Sequence, residues 1–288
     1  MSAATFPARA RTGRRPGVGT VYAWELRKLR AQKRTYLGLG MAVLVPLIFI
    51  TALLLNGSNG GGDGEIPFER YVRETGLAIP LVGLFFGSIW LFPLITALVA
   101  GDIVATEDNH GTLKTILTRS VDRWQVFVAK TLAALTYAFT ALVLYVLVGL
   151  VVGGLIWGFD PLVSLSGTRI PVGRGLLLLG ATTVAYFIPV IAIAAVALLL
   201  STVTRNSAAA VVATLMISLI MQLLGIITAL DFLRPYLLPT QFNAWQGLLR
   251  EPSDWAPVAR AAWVSAAYAL PALAISFTAF LRRDVAGG

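Results

Sequence analysis

The chain has 288 residues, of which 57% are hydrophobic and only 13% are charged, and its net charge is +9. A soluble domain has about 25% charged residues, so this composition excludes an ordinary water-soluble fold. The basic side chains are not gathered in a separate domain, which argues against nucleic-acid binding and favours contact with anionic lipid. The chain has no cysteine, so its chemistry includes neither disulfides nor thiols.

The residues before the first long apolar stretch divide into two parts. Residues 1–19 are rich in Arg, Gly and Pro without periodicity, and we predict a flexible basic tail. Residues 20–34 predict a cytoplasmic interfacial helix that is capped by Thr20 and places Trp24 at headgroup depth. Its basic side chains include Arg27, Lys28 and Arg30. A basic extension of the first span is the alternative.

Six stretches without a charged side chain, each of 21 to 30 residues, follow along the sequence. A helix needs about 20 apolar residues to cross the hydrocarbon core, where every backbone polar group must be satisfied within the segment. We therefore predict an all-α membrane protein with a six-span transmembrane domain over residues 35–288. The predicted transmembrane helices are about 35–55, 80–104, 124–156, 176–203, 207–229 and 260–281.

Basic residues are distributed unevenly between the two sides of this layout. If the N-terminus is cytoplasmic, 16 Lys and Arg residues lie on the cytoplasmic side and 7 on the outer side. Loops rich in Lys and Arg stay in the cytoplasm, so both termini are expected there. We expect a multi-pass protein of the cell (plasma or inner) membrane, and the abundance of Arg and Ala is typical of a bacterial source.

Two features of spans two and three concern helix packing. Pro80 and Pro93 lie within span two, so we expect that helix to be kinked. Gly83-x-x-x-Gly87 in span two and Gly149-x-x-x-Gly153 in span three permit close helix contact.

The segment between spans two and three, residues 101–130, is polar but has a helical period of its own. Leu113, Ile116 and Leu117 are spaced to share one helical face. Polar side chains occupy the other face, at Lys114, Thr115 and Thr118. A short amphipathic helix between two spans predicts a docking element for a soluble partner.

The segment between spans five and six, residues 231–257, contains four prolines. Between them, Phe242, Trp245 and Leu249 lie along one side of a short helix, which predicts an outer amphipathic or re-entrant helix. Two further tryptophans fit the outer aromatic belt of the membrane, Trp255 and Trp263.

Several kinds of chemistry have no residues to support them in this sequence. No predicted span has an ionisable residue well inside it, which disfavours a proton relay or an ion-coupled carrier. His110 is the only histidine, so a metal site is not expected. The phosphate-binding pattern G-x-x-x-x-G-K-[ST] is absent, so energy for transport would have to come from another polypeptide. We therefore expect a non-enzymatic subunit without a cofactor of its own.

The segment after span two also carries a sequence motif. The pattern includes Glu107, Gly111, Thr112, Leu113, Leu117, Arg123 and Lys130. It resembles the permease subunits of type-2 ATP-binding-cassette (ABC) exporters, which read E-x-x-x-G-T-L, a leucine pair, P-V-S-R and a later Lys. Two positions depart from that pattern: Ser120 stands where Pro is usual, and Asp122 where Ser is common. Ser120 can still cap the next helix, with Asp122 in its first turn.

The resemblance implies a coupling helix in this segment that docks on a separate ATPase subunit. The implied coupling residues are Glu107, His110, Gly111, Thr112, Leu113, Ile116, Leu117 and Arg123. The N-terminal interfacial helix is expected to touch the same subunit. The complex would hold two ATPase copies, which bind ATP and Mg, and two permease copies as a homo- or heterodimer. Glu107 is expected to pair with a basic residue such as Arg123, or with solvent as part of a hydrated face.

The resemblance further implies a central substrate path between spans two and five of the two copies. The candidate lining residues are Phe85, Ile89, Phe92, Met216, Ile220 and Gln222, of which Phe85, Ile89 and Phe92 would form one stripe of span two. Such a lining favours export of a hydrophobic or amphipathic compound, for example a drug, an antibiotic or a lipid. The alternatives are an exporter of ions such as sodium or of small solutes with the same fold, and a membrane scaffold subunit that transports nothing.

Overall fold

The computed structural model describes residues 16–55, 74–106 and 121–282. Nine α-helices and one two-stranded hairpin occur within these ranges. The helices are α1 (Val18–Ala31), α2 (Lys33–Leu55), α3 (Ala78–Gly87), α4 (Leu91–Ala100), α5 (Arg123–Trp157), α6 (Val172–Thr204), α7 (Ser207–Leu224), α8 (Leu238–Gln241) and α9 (Ala256–Leu281). The strands are β1 (Leu162–Val163) and β2 (Arg169–Ile170), and 3-10 turns cover Thr228–Leu230, Arg234–Tyr236 and Ala244–Leu249.

The long helices are those of a multi-pass membrane protein. α2, α5, α6, α7 and α9 are each long and apolar enough to cross a membrane. The pair α3 and α4 passes the same test together, with a bend of 64° between its two halves. The prediction of a helical membrane protein is thus confirmed, and the hairpin is a small departure from an all-α chain.

The N-terminal helix lies a few residues earlier than the sequence indicated. α1 begins after Gly17, whose extended backbone precedes the first turn, so Thr20 lies inside the helix and the prediction that it is the cap is wrong. α1 ends at Ala31 because Gln32 leaves the helical conformation, and α2 starts at the next residue. The interfacial helix and the first long helix are therefore separated by a single residue.

The predicted second span is two helices in the structure. α3 ends at Gly87, and Trp90 has a non-helical backbone before α4 begins. Pro93 lies in the first turn of α4, where its missing N–H breaks no helical hydrogen bond. The expected kink is therefore a complete break, placed just before the second proline.

α6 is the centre of the bundle. It has the largest buried share of the five long helices and packs against α4, α5, α7 and α9. A hydroxyl pair, Thr202 with Ser276 at 2.9 Å between their oxygens, joins α6 to α9. α2 and α7 lie at the periphery, and α7 has the smallest buried share.

α3 and the C-terminal half of α5 approach so closely that only glycine fits at several positions. A Cβ at Gly76 would collide with the backbone of Gly153 and Gly154, and a Cβ at Gly83 would lie 2.6 Å from the Tyr145 hydroxyl. A Cβ at Gly149 would press on Pro80. The small-residue spacings seen in the sequence thus serve a contact within the chain.

One end of the bundle, which we call the hairpin end, joins β1–β2 to residues 238–254. The Leu165 N–H donates to the Leu249 carbonyl over 3.1 Å, and the Thr168 hydroxyl donates to the Glu251 carboxylate over 2.6 Å. The structure buries Phe242 and Trp245 against the bundle, where the Phe242 ring packs edge-on against Tyr186. This segment is a short helix followed by a 3-10 turn, so the prediction of one amphipathic or re-entrant helix is wrong. Its location at the outer surface stays a prediction.

The opposite end of the bundle holds the tight turn between α6 and α7. Arg205 adopts a left-handed backbone with φ of 54°, and Asn206 caps α7 by accepting a hydrogen bond from the Ala209 N–H. The same end contains α1, the end of α4 and the start of α5. We call it the junction end.

Candidate coupling site at the junction end

The described chain stops at Thr106 and resumes at Val121, so most of the predicted coupling segment lies outside the described residues. The coupling residues outside the description are Glu107, His110, Gly111, Thr112, Leu113, Ile116 and Leu117. Arg123 lies within it, as do all the residues that flank the segment. The site can therefore be built from its two flanks, residues 101–106 and 121–130.

The first flank, Gly101–Thr106, which we call the junction, begins with a buried carboxylate. Asp102 is only 1% exposed. Its Oδ1 accepts hydrogen bonds from the hydroxyls of Thr106 and Ser207 and forms a salt bridge with Arg34. Arg34 also donates to the Ser207 hydroxyl over 3.3 Å. One carboxylate thus ties the junction to the first turns of α2 and α7.

The junction backbone is tied to two more helices. The Ile103 carbonyl accepts a hydrogen bond from Lys130 Nζ of α5 over 3.1 Å. The Ala105 N–H donates to the Ser201 hydroxyl of α6 over 3.1 Å. Three residues of the junction, Asp102, Ile103 and Ala105, therefore contact α2, α5, α6 and α7 through polar groups.

A second buried ion pair attaches α1 to the same place. Glu25 and Lys130 are 3% and 0% exposed, and their carboxylate and ammonium groups are 3.1 Å apart. Glu25 also binds Lys28 of its own helix over 2.7 Å. The remaining buried residues of α1 are Val21 and Leu29, and the hydroxyls of Tyr22 and Thr136 form a hydrogen bond of 2.7 Å between α1 and α5. The face that packs against α5 therefore combines apolar contacts with the ion pair and this hydrogen bond.

Burying these charges is costly unless each is paired and hydrogen-bonded. The desolvation penalty of an ion in a protein interior amounts to several kcal/mol, which only good geometry and additional hydrogen bonds offset. Asp102 and Lys130 each have at least two polar partners from different elements. These pairs consequently specify which elements meet at the junction more than they add to stability.

The second flank is anchored to the last long helix. Asp122 caps α5, and its N–H donates a hydrogen bond to the Gln125 side-chain oxygen over 3.2 Å, which completes a capping box. Arg123 donates to the Leu281 carbonyl at the end of α9 over 2.8 Å. The predicted pair between Glu107 and Arg123 involves a residue outside the description and stays a prediction.

The predicted interfacial helix has a basic face directed away from α5. Trp24 is 38% exposed, and Arg27, Lys28 and Arg30 are exposed as well. The apolar side of α1 lies on protein rather than on lipid. α1 is therefore a fixed part of the junction end, which the sequence alone did not indicate.

The predicted substrate-path residues fall into two groups. Phe85 and Ile89 are half-buried, whereas Phe92 is buried and packs edge-on against Tyr145 and Tyr186. The three do not form one helical stripe, because the chain breaks between α3 and α4; that prediction is wrong. The structure places Phe92 in the core.

The second group lies on α7. Met216 and Ile220 are 48% and 50% exposed, one helical turn apart, and Gln222 is half-buried. Val212 and Leu223 extend the exposed stripe in both directions. α7 has the smallest buried share of the five long helices that the structure describes.

Sequence reasoning missed the partners that make the junction. It treated the charges of residues 101–130 as a polar segment and found no ionisable residue well inside a span. Asp102 and Lys130 nevertheless lie within the predicted spans and are buried by neighbouring helices. One signal was available: Glu25 is the only acidic residue of a basic helix, and Lys130 completes the quoted motif.

Comparisons with known proteins add a family and no function. A family model described as "Protein of unknown function (DUF2705)" matches residues 41–286. No curated protein matches the chain. Among the residues that the structure describes, no group of three His, Cys, Asp or Glu is placed to hold a metal ion.

Proposed function

We propose that this chain, which belongs to the DUF2705 family, is the membrane-spanning permease subunit of a type-2 ABC exporter. The observation that carries the proposal is the construction of the junction. The motif-bearing segment, residues 107–120, starts at a buried turn bonded to α2, α5, α6 and α7. It ends at a capped helix start bonded to α9.

This construction would allow residues 107–120 to act as a lever that passes force from a bound partner to the helices. A short segment that projects from one loosely held loop would move alone when a partner pulled on it. A segment whose two flanks are bonded to the ends of five helices transmits the same force to the whole bundle. In this function an ATPase subunit, which binds ATP and Mg, changes shape and tilts the helices through residues 107–120.

The proposed layout has six spans. The bent pair α3–α4 counts as one span, which gives an even number of crossings between α2 and α9. The excess of Lys and Arg before the first span, in residues 107–130 and at the α6–α7 turn supports a cytoplasmic location for the junction end and for both termini. The docking segment then lies on the side where ATP is available.

The exposed stripe of α7 supports a second proposal about the path of the cargo. Met216, Ile220 and their neighbours face away from the bundle without a charge, and Phe85 lies half-buried on α3. In an assembly of two copies, such faces would line an apolar path. Flexible Met and aromatic side chains accommodate varied shapes, so the cargo is a hydrophobic or amphipathic compound.

The experiment for this function is co-purification. The tagged chain is extracted from its native membrane in mild detergent, and bound proteins are identified by mass spectrometry. We expect a subunit that carries the phosphate-binding pattern G-x-x-x-x-G-K-[ST]. Leu113→Arg or Leu117→Arg should reduce its yield at least tenfold, because a charge would replace an apolar docking side chain.

The matched control is Thr118→Arg, which adds the same charge to the predicted polar face. It should leave the yield of the ATPase subunit unchanged. Recovery of no such subunit with the unaltered chain would show that the chain is not an ABC permease. Equal recovery with all three variants would show that residues 113 and 117 are not the docking face.

A further inference from the structure

We propose that Arg34, Asp102 and Ser207 form a polar gate at the junction end of a groove between α2 and α7. The three side chains close this end of the groove, and withdrawal of the Arg34 side chain would open it. The purpose of the gate rests on the proposed function, in which cargo has to enter its path from the cytoplasmic side. The closure itself can be tested without an ATPase subunit and without a cargo.

The groove follows from the way in which four helices surround α4. α4 packs against α2, α5, α6 and α7. Three of its sides are closed, because α2 packs on α5, α5 on α6 and α6 on α7. Among the residues that the structure describes, α7 and α2 make no comparable contact with each other, so the fourth side is open. The groove therefore has α4 as its floor and α2 and α7 as its walls.

The floor of the groove is apolar and ends at a carboxylate. Leu94 and Leu98 are the two residues of α4 that are not fully buried, and they lie one helical turn apart. Trp90, one turn before Leu94, is 56% exposed. Because the other sides of α4 are covered, this stripe faces the opening. Asp102 follows Leu98 after another four residues, so the floor changes from apolar to charged where α4 ends.

The gate joins the floor of the groove to both walls. Arg34 lies in the first turn of α2, and Ser207 is the first residue of α7. Both bind Oδ1 of Asp102, Arg34 through a salt bridge and Ser207 through its hydroxyl. Arg34 also donates to the Ser207 hydroxyl over 3.3 Å, from one wall to the other. Within the described ranges no other side-chain hydrogen bond or ion pair links α2 to α7, so the polar closure is confined to the junction end.

Arg34 is the member of the gate that can move. α2 itself is held on α5, where the Tyr137 hydroxyl donates to the Thr35 carbonyl over 3.4 Å. The start of α7 is held at the end of α6 by a turn of two residues, 205 and 206. The Arg34 side chain, in contrast, is 42% exposed, so water can replace its bonds. Its withdrawal would open the groove without the displacement of a helix.

Asp102 keeps hydrogen-bond partners when Arg34 withdraws. Its carboxylate accepts hydrogen bonds from the hydroxyls of Ser207 and Thr106, and neither bond depends on Arg34. A buried charge is tolerated only where hydrogen bonds satisfy it. The other buried ion pair of the junction end differs, since neither of its side chains is more than 4% exposed. That pair is suited to holding helices together, whereas the pair of Arg34 and Asp102 is suited to opening.

The test measures how readily water reaches the floor of the groove in the full chain in lipid nanodiscs. The sequence has no cysteine, so Leu98→Cys introduces a single thiol just behind the gate. Its rate of reaction with a charged methanethiosulfonate that does not enter lipid is compared between the parent and Arg34→Ala. We expect the rate to rise about tenfold in Arg34→Ala, because the thiolate is the reactive form and it requires water. An unchanged rate would overturn the proposal.

Three controls separate an open gate from a loosened bundle. Arg34→Lys retains a long cationic side chain and should react at the rate of the parent; a rate as high as that of Arg34→Ala would contradict closure by the ion pair. Arg30→Cys, exposed on α1, should react equally fast with and without the gate variants. Ile48→Cys, at an exposed apolar position of α2, should stay unreactive. Reaction at position 48 in Arg34→Ala would mean that helices have separated generally and would count against a gate.

A second variant decides the question if Arg34→Ala does not fold. Arg34→Ala/Asp102→Asn removes both charges, so no unpaired carboxylate is left behind. We again expect Leu98→Cys to react about tenfold faster than in the parent, because the mouth of the groove is no longer filled by the guanidinium group and the thiol meets water. The rate of the parent in this variant would contradict the proposal.

A final measurement connects the gate to the proposed function. In the complex with the co-purified ATPase subunit, trapping with ATP and vanadate should raise the rate at Leu98→Cys about fivefold, because an open gate admits water to the thiol. If no ATPase subunit binds the unaltered chain, the proposed function fails, while the rates in nanodiscs still decide whether the three residues close the groove. If the ATPase subunit binds and trapping leaves the rate unchanged, the gate fails alone.

Discussion

At the junction end, carboxylates and ammonium groups are buried between helices that are far apart in the sequence, as with Glu25 and Lys130. At the hairpin end, Glu251 and Arg174 are 28% and 54% exposed, and they join loops and the first turn of α6. Both ends hold long helices in place. The junction end uses charged groups that are costly to bury. The hairpin end uses exposed charged groups, whose ion pair can be replaced by bonds to water.

This difference indicates where the chain tolerates change. An exposed ion pair contributes little, because water and salt compete for both partners. A buried pair leaves an uncompensated charge when one partner is removed. The junction end, which buries its ion pairs, therefore requires a defined geometry. The proposed lever has the same requirement.

The largest expected effect is that of Lys130→Ala. Among the residues that the structure describes, it leaves Lys28 as the charged partner of the buried Glu25, and it removes the hydrogen bond to Ile103. Removing one partner of a buried pair costs about 3–5 kcal/mol, and we expect about 3 kcal/mol here because Lys28 remains. Thermal unfolding in detergent, followed by circular dichroism, measures the loss; a change below about 1 kcal/mol would mean that the pair is effectively hydrated.

An intermediate effect is expected from Gly76→Ala at the other end. The added methyl group would collide with the backbone of Gly153 and Gly154, and backbone cannot turn aside as a side chain can. Overpacking of this kind costs about 1–3 kcal/mol. Gly180→Ala is the matched control: its Cβ would meet nothing within 4 Å, and alanine favours the helix, so it should be neutral or stabilising.

The smallest effect is expected from Arg174→Ala. The salt bridge to Glu251 is 2.8 Å long but partly hydrated, and Glu251 keeps its hydrogen bond from Thr168. A loss of less than about 1 kcal/mol should appear in the same unfolding assay. A loss equal to that of Lys130→Ala would remove the distinction between the two ends.

The sequence predicted the long helices well because their signal is a local one. An uncharged stretch of sufficient length indicates a membrane span whatever it packs against. α5, α6 and α9 accordingly begin and end within a few residues of their predicted bounds. The second span was harder, since Pro93 signals a kink but not a complete break at Trp90.

The junction could not be predicted because its bonds join distant parts of the chain. Glu25 and Lys130 are 105 residues apart, and nothing in either neighbourhood identifies the other. Asp102 stands at the edge of an apolar stretch, where its charge indicates the beginning of a polar loop. The sequence also predicted a surface helix at Phe242 and Trp245. The apolar side of that segment indicates burial, but it does not indicate whether lipid or protein covers it.

The account depends most on the side of the membrane at which the junction end lies. His110→Cys in this cysteine-free chain can be tested with a maleimide that does not cross membranes. We predict that the reagent labels position 110 in inverted vesicles and fails to label it in intact cells. Labelling in intact cells would place the segment outside, beyond the reach of any ATPase subunit, and would contradict the proposed function.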